Sequence, residues 1–152
     1  MKKLWTTCGR FVFWISWPAL KIRLLMTERA RVVIAYKDEI LVVRSWIGNS
    51  KWTLPGGGVK FGEKHKTAVI REIEEELGFK LSPKYYQKVG EFTYRSTGLQ
   101  YPYTLFRVKL NSKPELTPKQ SEIVALDWLK LNKVTKHNSN SDVLNAKIQL
   151  ES

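Results

Sequence analysis

Residues 71–78 read Arg-Glu-Ile-Glu-Glu-Glu-Leu-Gly, placing four glutamates within five positions. The surrounding apolar residues Val69, Ile70, Ile73 and Leu77 recur on one side of a helix expected over Lys64–Leu77, and Gly78 is a natural stop. On that helix Glu72 pairs with Glu75 at i,i+3 and with Glu76 at i,i+4, so these three share a face while Glu74 points away. Like charges at such spacing cost a helix about 0.2–0.5 kcal/mol per pair. One neighbouring cation, Arg71, does not offset several pairs. Two explanations remain: a solvated charged face, or a site for a hard divalent cation such as Mg2+ or Mn2+, which carboxylate oxygens suit. Just upstream, Pro55-Gly56-Gly57-Gly58 is expected to be a glycine-rich loop with almost no side chains. Its carbonyls could reach a metal and its N–H groups could approach phosphate oxygens.

The charge distribution marks the same place. The 152-residue chain carries 26 Lys and Arg against 14 Asp and Glu, a net charge of +12, yet residues 57–79 hold four basic and five acidic residues. A basic surface suits anionic partners such as nucleotides, RNA or a negatively charged membrane face, or serves solubility alone. A single cysteine, Cys8, excludes an internal disulfide framework and a cysteine-based zinc site, and points to a reducing, cytoplasmic compartment.

Residues 1–26 differ from the remainder. Trp5, Phe11, Phe13, Trp14 and Trp17 crowd a segment in which Leu4, Cys8, Phe11 and Ile15 fall at helical spacing, with Lys3, Thr6, Thr7 and Arg10 opposite. Pro18 should end or kink that helix. No apolar run reaches the ~18 residues of a membrane-spanning helix. The segment reads as a basic amphipathic extension. Three readings stay open: an interfacial anchor at the cytoplasmic membrane face, a helix packing on the domain or on a second copy as a homodimer, and a false start ahead of Met26.

The second part, residues 27–152, reads as strands and helices. Strands are expected at Arg31–Tyr36 and Ile40–Arg44, joined by Lys37-Asp38-Glu39, and at Lys88–Arg95, Tyr101–Leu110 and Ile123–Leu129. Trp52–Gly58 should be a strand end running into the glycine loop, residues 132–140 a loop, and Ser141 to about Leu150 a short helix. Irregular alternation with hairpins implies an α/β (α+β) fold, a mixed sheet flanked by helices.

The spacing Gly57, five residues, Glu63, seven residues, Arg71-Glu72-Ile73, then Glu75-Glu76 and Gly78-Phe79 resembles the Nudix hydrolase box, Gly-x5-Glu-x7-Arg-Glu-U-x-Glu-Glu-x-Gly-U with U bulky and apolar. Every fixed position matches. Phe79 is aromatic where an aliphatic residue is commoner. The resemblance extends over about Arg29 to Leu150 in element order and implies an α/β/α sandwich. It implies that Glu75 and Glu76 coordinate divalent metal, that Glu72 lies at the metals and accepts a proton from water, and that Arg71 orients a glutamate. It also implies that the Gly56 carbonyl binds metal and that Glu63 is structural. Some members add a metal-binding glutamate six residues before a tryptophan, a spacing shared by Glu122 and Trp128.

The expected activity is Mg2+-dependent hydrolysis of a diphosphate linkage in a nucleoside diphosphate joined to another moiety. Metal neutralises the phosphate oxygens and acidifies water, and no Ser, Cys or His nucleophile is needed. Competing readings are a nucleotide sensor without turnover, and a hydrolase of RNA 5′ ends or of a membrane-borne diphosphate. Candidate substrate contacts are the aromatics Trp46, Tyr94 and Tyr103 for a base and Arg44, Lys60 and Arg95 for phosphates.

Overall fold

The computed structural model describes residues 28–46, 49–96 and 99–152. The amphipathic helix expected in residues 1–26 lies outside the described residues. Strands β1 (Arg29–Tyr36) and β2 (Glu39–Ser45) form the expected hairpin, with Lys37 at φ 54° in the tight turn. Both strands are β-branched runs buried on both faces, which suits central positions in a sheet covered on each side. Strands β4 (Gln87–Ser96) and β5 (Leu99–Lys109) form a second antiparallel pair, and β6 (Ile123–Lys130) pairs antiparallel with β2. The sheet order is β4-β5-β1-β2-β6, with β1 and β5 parallel.

One expectation is corrected. Gly56–Gly58 is not a free loop but a short strand, β3, antiparallel to β1, with Gly56 opposite Arg31, Gly57 opposite Ala30 and Gly58 opposite Arg29. Glycine has low strand propensity, so nothing local predicts it; pairing with β1 imposes it.

Helices α1 (His65–Leu77) and α2 (Ser141–Glu151) cover opposite faces of the sheet. Ala68, Val69, Ile73 and Leu77 of α1 pack on Ala30, Val32, Ile34, Leu41 and Val43. Val143 and Ala146 of α2 pack on the alternate residues Val33, Ala35, Ile40 and Val42 together with Trp52, Leu54, Tyr101 and Tyr103. The period-2 alternation of β1 and β2 thus feeds two cores and produces an α/β/α sandwich with a mixed sheet. Gly78 caps α1 in left-handed backbone, its N–H donating to Glu74 O at 3.1 Å. Among the described residues no helix is long and apolar enough to cross a membrane.

Candidate functional site

Helix α1 brings its carboxylates against β3, and one arginine organises them. Arg71 Nε donates to Glu63 Oε1 at 2.9 Å and Nη2 to Glu63 Oε2 at 2.9 Å. Its Nη1 donates to Glu72 Oε1 at 2.7 Å and reaches Glu75 Oε2 at 3.4 Å, while Nη2 also donates to Gly58 O at 3.0 Å. The planar fork therefore ties the turn before α1, β3 and two helix carboxylates to one cation. Glu63 additionally accepts the Lys60 N–H at 2.9 Å. The hydrogen bonds from Arg71 hold the Glu63 carboxyl at about 2, below its ordinary 4.5.

That shift has a testable sign. The folded value lies below the unfolded one, so the stabilisation is complete above about pH 4.5 and is lost as pH falls towards 2. Melting temperature measured from pH 6 to pH 2 should fall more steeply for the parent than for Glu63→Gln, the two curves converging in acid. Parallel curves would contradict the clamp.

The glycines place the other two carboxylates. The Gly56 N–H donates to Glu76 Oε2 at 3.1 Å. A Cβ on Gly57 would lie 2.4 Å from the Glu72 carboxyl carbon, so the Glu72 carboxylate rests over the bare Gly57 Cα. Burial pushes Glu76 up to about 7, against the opposing pull of Arg31 and the Gly56 N–H. Glu75 is half exposed, its side chain 52% accessible against 16% for Glu72.

The donors on this face are all oxygen, Glu72, Glu75 and Glu76 with the Gly56 carbonyl, which accepts from Arg31 Nη1 at 2.8 Å, and donors of this kind suit a hard divalent cation. The cradle over Gly57 and the partly buried Glu76, which makes no ion pair among the described residues, fit the same group. Among the described residues no three His, Cys, Asp or Glu side chains are grouped closely enough to hold a metal ion by themselves, and Glu72 and Glu75 lean on Arg71 instead. Gly57→Ala is expected to push Glu72 off the cradle and lower activity at least about 10-fold, in line with losses from disturbed supporting groups. Its melting temperature should stay within a few degrees of the parent, because the obstructing atoms are the end of a flexible side chain. Unchanged turnover would contradict the placement.

The remaining candidates divide. Glu122 is half exposed and ion-paired with Lys119; its charge contributes to raising Glu76. Lys119 N–H donates to Glu76 O at 2.8 Å, which brings this segment to the C-terminal end of α1. Lys60 lies in the exposed turn before α1. Arg44 places its guanidinium 3.8 Å from the Trp52 ring centroid, and Trp46 is 57% exposed just beyond β2. Arg95 is exposed, and its backbone N–H donates to Ser141 Oγ at 2.8 Å. Tyr94 and Tyr103 belong to the core: Tyr94 stacks on Tyr101 at 4.6 Å, and Tyr103 stacks on Phe92 and accepts from Asn145 Nδ2 at 3.1 Å.

Sequence reasoning missed Arg29, Arg31 and Asp142. Arg29 packs its guanidinium 4.7 Å from the Tyr101 ring centroid and feels the charge of Glu72. Arg31 and Asp142 are buried beside β3. The available signal was alternation: Arg31, Val33 and Ala35 share an inward face of β1, and a charge at an inward position demands partners.

A family model described as NUDIX domain matches residues 26–147. A MutT-like protein from Streptomyces ambofaciens is 32% identical over 109 residues, covering 70% of this chain and 65% of that protein. An RNA pyrophosphohydrolase from Pelagibacter ubique (strain HTCC1062) is 39% identical over 62 residues, 40% of this chain and 39% of that protein. The chain thus matches less than two thirds of the length of these curated relatives. A MutT NUDIX hydrolase from Burkholderia pseudomallei has a crystal structure that superposes with a TM-score of 0.70 at 23% identity, over 82% of this chain and 97% of that one, a likeness of fold.

Proposed function

The chain belongs to the NUDIX domain family, and from that premise we propose that it is a divalent-metal-dependent hydrolase of a diphosphate linkage in a nucleotide. The observation that carries the reading is the assembly of Glu72 and Glu76 against the bare backbone of Gly56-Gly57, with Glu75 open to solvent beside them. A bound Mg2+ or Mn2+ would neutralise phosphate oxygens and acidify a water molecule. Glu75 and Glu76 are assigned to hold the metal, with the Gly56 carbonyl and Glu122 as further oxygen donors.

Glu72 is held on one side by Arg71 and on the other by the Gly57 cradle, so its carboxylate is preorganised to accept a proton from water. Arg71 fixes its rotamer. Stabilisation of the transferring phosphoryl group is then mostly electrostatic. Arg44, Trp46, Lys60 and Arg95, all reaching the surface, are assigned to substrate contact.

A second reading concerns the substrate. The +12 charge and the likeness to an RNA pyrophosphohydrolase favour an RNA 5′ end over a mononucleotide. The test is a panel of nucleoside triphosphates, NDP-sugars, ADP-ribose, dinucleoside polyphosphates and 5′-triphosphate RNA, each with Mg2+ or Mn2+, beside a Glu75→Gln control. Turnover of one class that is lost in the control is expected. No turnover of any class with either metal would overturn the hydrolase in favour of a nucleotide sensor.

A further inference from the structure

We propose that Arg31 is a positioning residue for Glu76, acting through the Gly56 peptide; the inference rests on the metal-site reading above. Arg31 is 8% exposed and lies on β1 directly opposite Gly56. Its Nη1 donates to Leu54 O at 2.7 Å and to Gly56 O at 2.8 Å, and its Nη2 to Tyr101 Oη at 3.2 Å. The carbonyl between these two, Pro55 O, accepts the Val32 N–H at 3.1 Å. Every carbonyl from Leu54 to Gly56 is therefore tied to β1, two of them by one guanidinium.

The tie matters because Gly56 is the pliant point of the site. Its φ of +124° is a conformation that only glycine adopts readily, so no side chain helps to hold its two flanking peptides. Val32 fixes the peptide before it and Arg31 the peptide after it. With both held, the Gly56 N–H has one direction left, and it points at Glu76 Oε2, 3.1 Å away. Without the guanidinium the Pro55–Gly56 peptide, which carries that N–H, keeps its Val32 bond but loses the ties on the carbonyls to either side, and the N–H can swing away from Glu76. Asp142 completes the device from α2: its Oδ2 accepts the Leu54 N–H at 2.9 Å and the Thr53 hydroxyl at 2.6 Å, so Leu54 is held by an anion at its N–H and by a cation at its carbonyl. The Arg31 charge acts favourably on the carboxylates of both Asp142, which is buried, and Glu76, which is partly buried.

A merely structural arginine would lower stability and leave metal affinity alone. The discriminating readout is Mn2+ binding without substrate, followed by electron paramagnetic resonance, together with melting temperature. Arg31→Lys retains the charge but ends its side chain one atom short of Nη1, the nitrogen that makes both carbonyl bonds. Its Mn2+ dissociation constant is expected to rise about 10- to 100-fold, the range seen when groups supporting metal ligands are removed. Tyr101→Phe removes the third contact and leaves both carbonyl ties, so it is expected to bind Mn2+ as the parent does.

Parent-like Mn2+ affinity in folded Arg31→Lys overturns the inference. No Mn2+ binding by the parent overturns the metal reading itself, and this proposal with it. Should Arg31→Lys not fold, Mg2+ titration of the unsubstituted 15N-labelled protein decides. The Arg31 Nε–H and the Gly56 N–H are expected to shift along one binding curve, and a Gly56 shift with Arg31 unmoved overturns the coupling.

Discussion

Glu72→Gln is expected to lower kcat by about 10²- to 10⁴-fold, the usual worth of a positioned general base. The substitution keeps the size and planarity of the side chain and removes only its charge and basicity. The carboxylate accepts from Arg71 Nη1 at 2.7 Å and sits over Gly57, so an amide can occupy the same space and still accept the same bond. Losing the charge weakens that bond by about 1 kcal/mol while relieving like-charge repulsion along α1, so stability should move little. Glu74→Gln is the matched control. Glu74 pairs with Lys80 at 2.9 Å on the far side of the helix, and its loss should leave turnover unchanged. Steady-state kinetics and melting curves on the three proteins check the prediction; a Glu72→Gln protein within a few-fold of parent turnover would move the base elsewhere.

Gly56→Ala is expected to be the most destabilising of the three β3 glycine substitutions. A Cβ there would lie 2.3 Å from Ala30 O and 3.1 Å from Arg31 Cα, both backbone atoms of a central strand, at φ +124°. The conformation costs about 1–3 kcal/mol for any residue with a side chain, and forcing atoms into packed space costs about 1–3 kcal/mol more. A loss of about 4 kcal/mol corresponds to roughly 8–16 °C in Tm for a domain of this size. Gly58→Ala, which meets nothing within 4 Å, should melt as the parent does. Gly57→Ala should also stay folded but lose activity through Glu72. Adjacent glycines would then report separately on fold, carboxylate placement and neither, and equal Tm losses at all three positions would contradict the register of β3 with β1.

What could be read from sequence followed the range of the interactions involved. Helix α1 was legible because its apolar period, its glutamate face and its stop at Gly78 are all local, and His65–Leu77 falls one residue inside the expected span. The β1–β2 hairpin was legible because a short turn joins two β-branched runs. The strand character of Gly56–Gly58 was not, since a bond pattern with β1 more than 20 residues away creates it. The parallel pairing of β1 with β5 is invisible for the same reason. Tyr94 and Tyr103 show how composition misleads: an aromatic suits a base and a core equally, and here sheet alternation turns both inward under α2. Arg31 is the converse, a charge inside an apolar run whose partners are main-chain carbonyls that no motif records. The carboxylate set was legible because its spacing is a property of one helix. What the fold adds is the support: Arg71 between Glu63 and Glu72, and Gly56 beneath Glu76.

The proposed divalent-metal site is made of Glu72, Glu75 and Glu76 over Gly56-Gly57. Mn2+ titration of the purified protein followed by electron paramagnetic resonance tests it without any assumption about substrate. Saturable binding that Mg2+ displaces, weakened by Glu75→Gln and by Glu76→Gln but not by Glu74→Gln, is the predicted result. Absence of binding, or binding indifferent to Glu75 and Glu76, would contradict it.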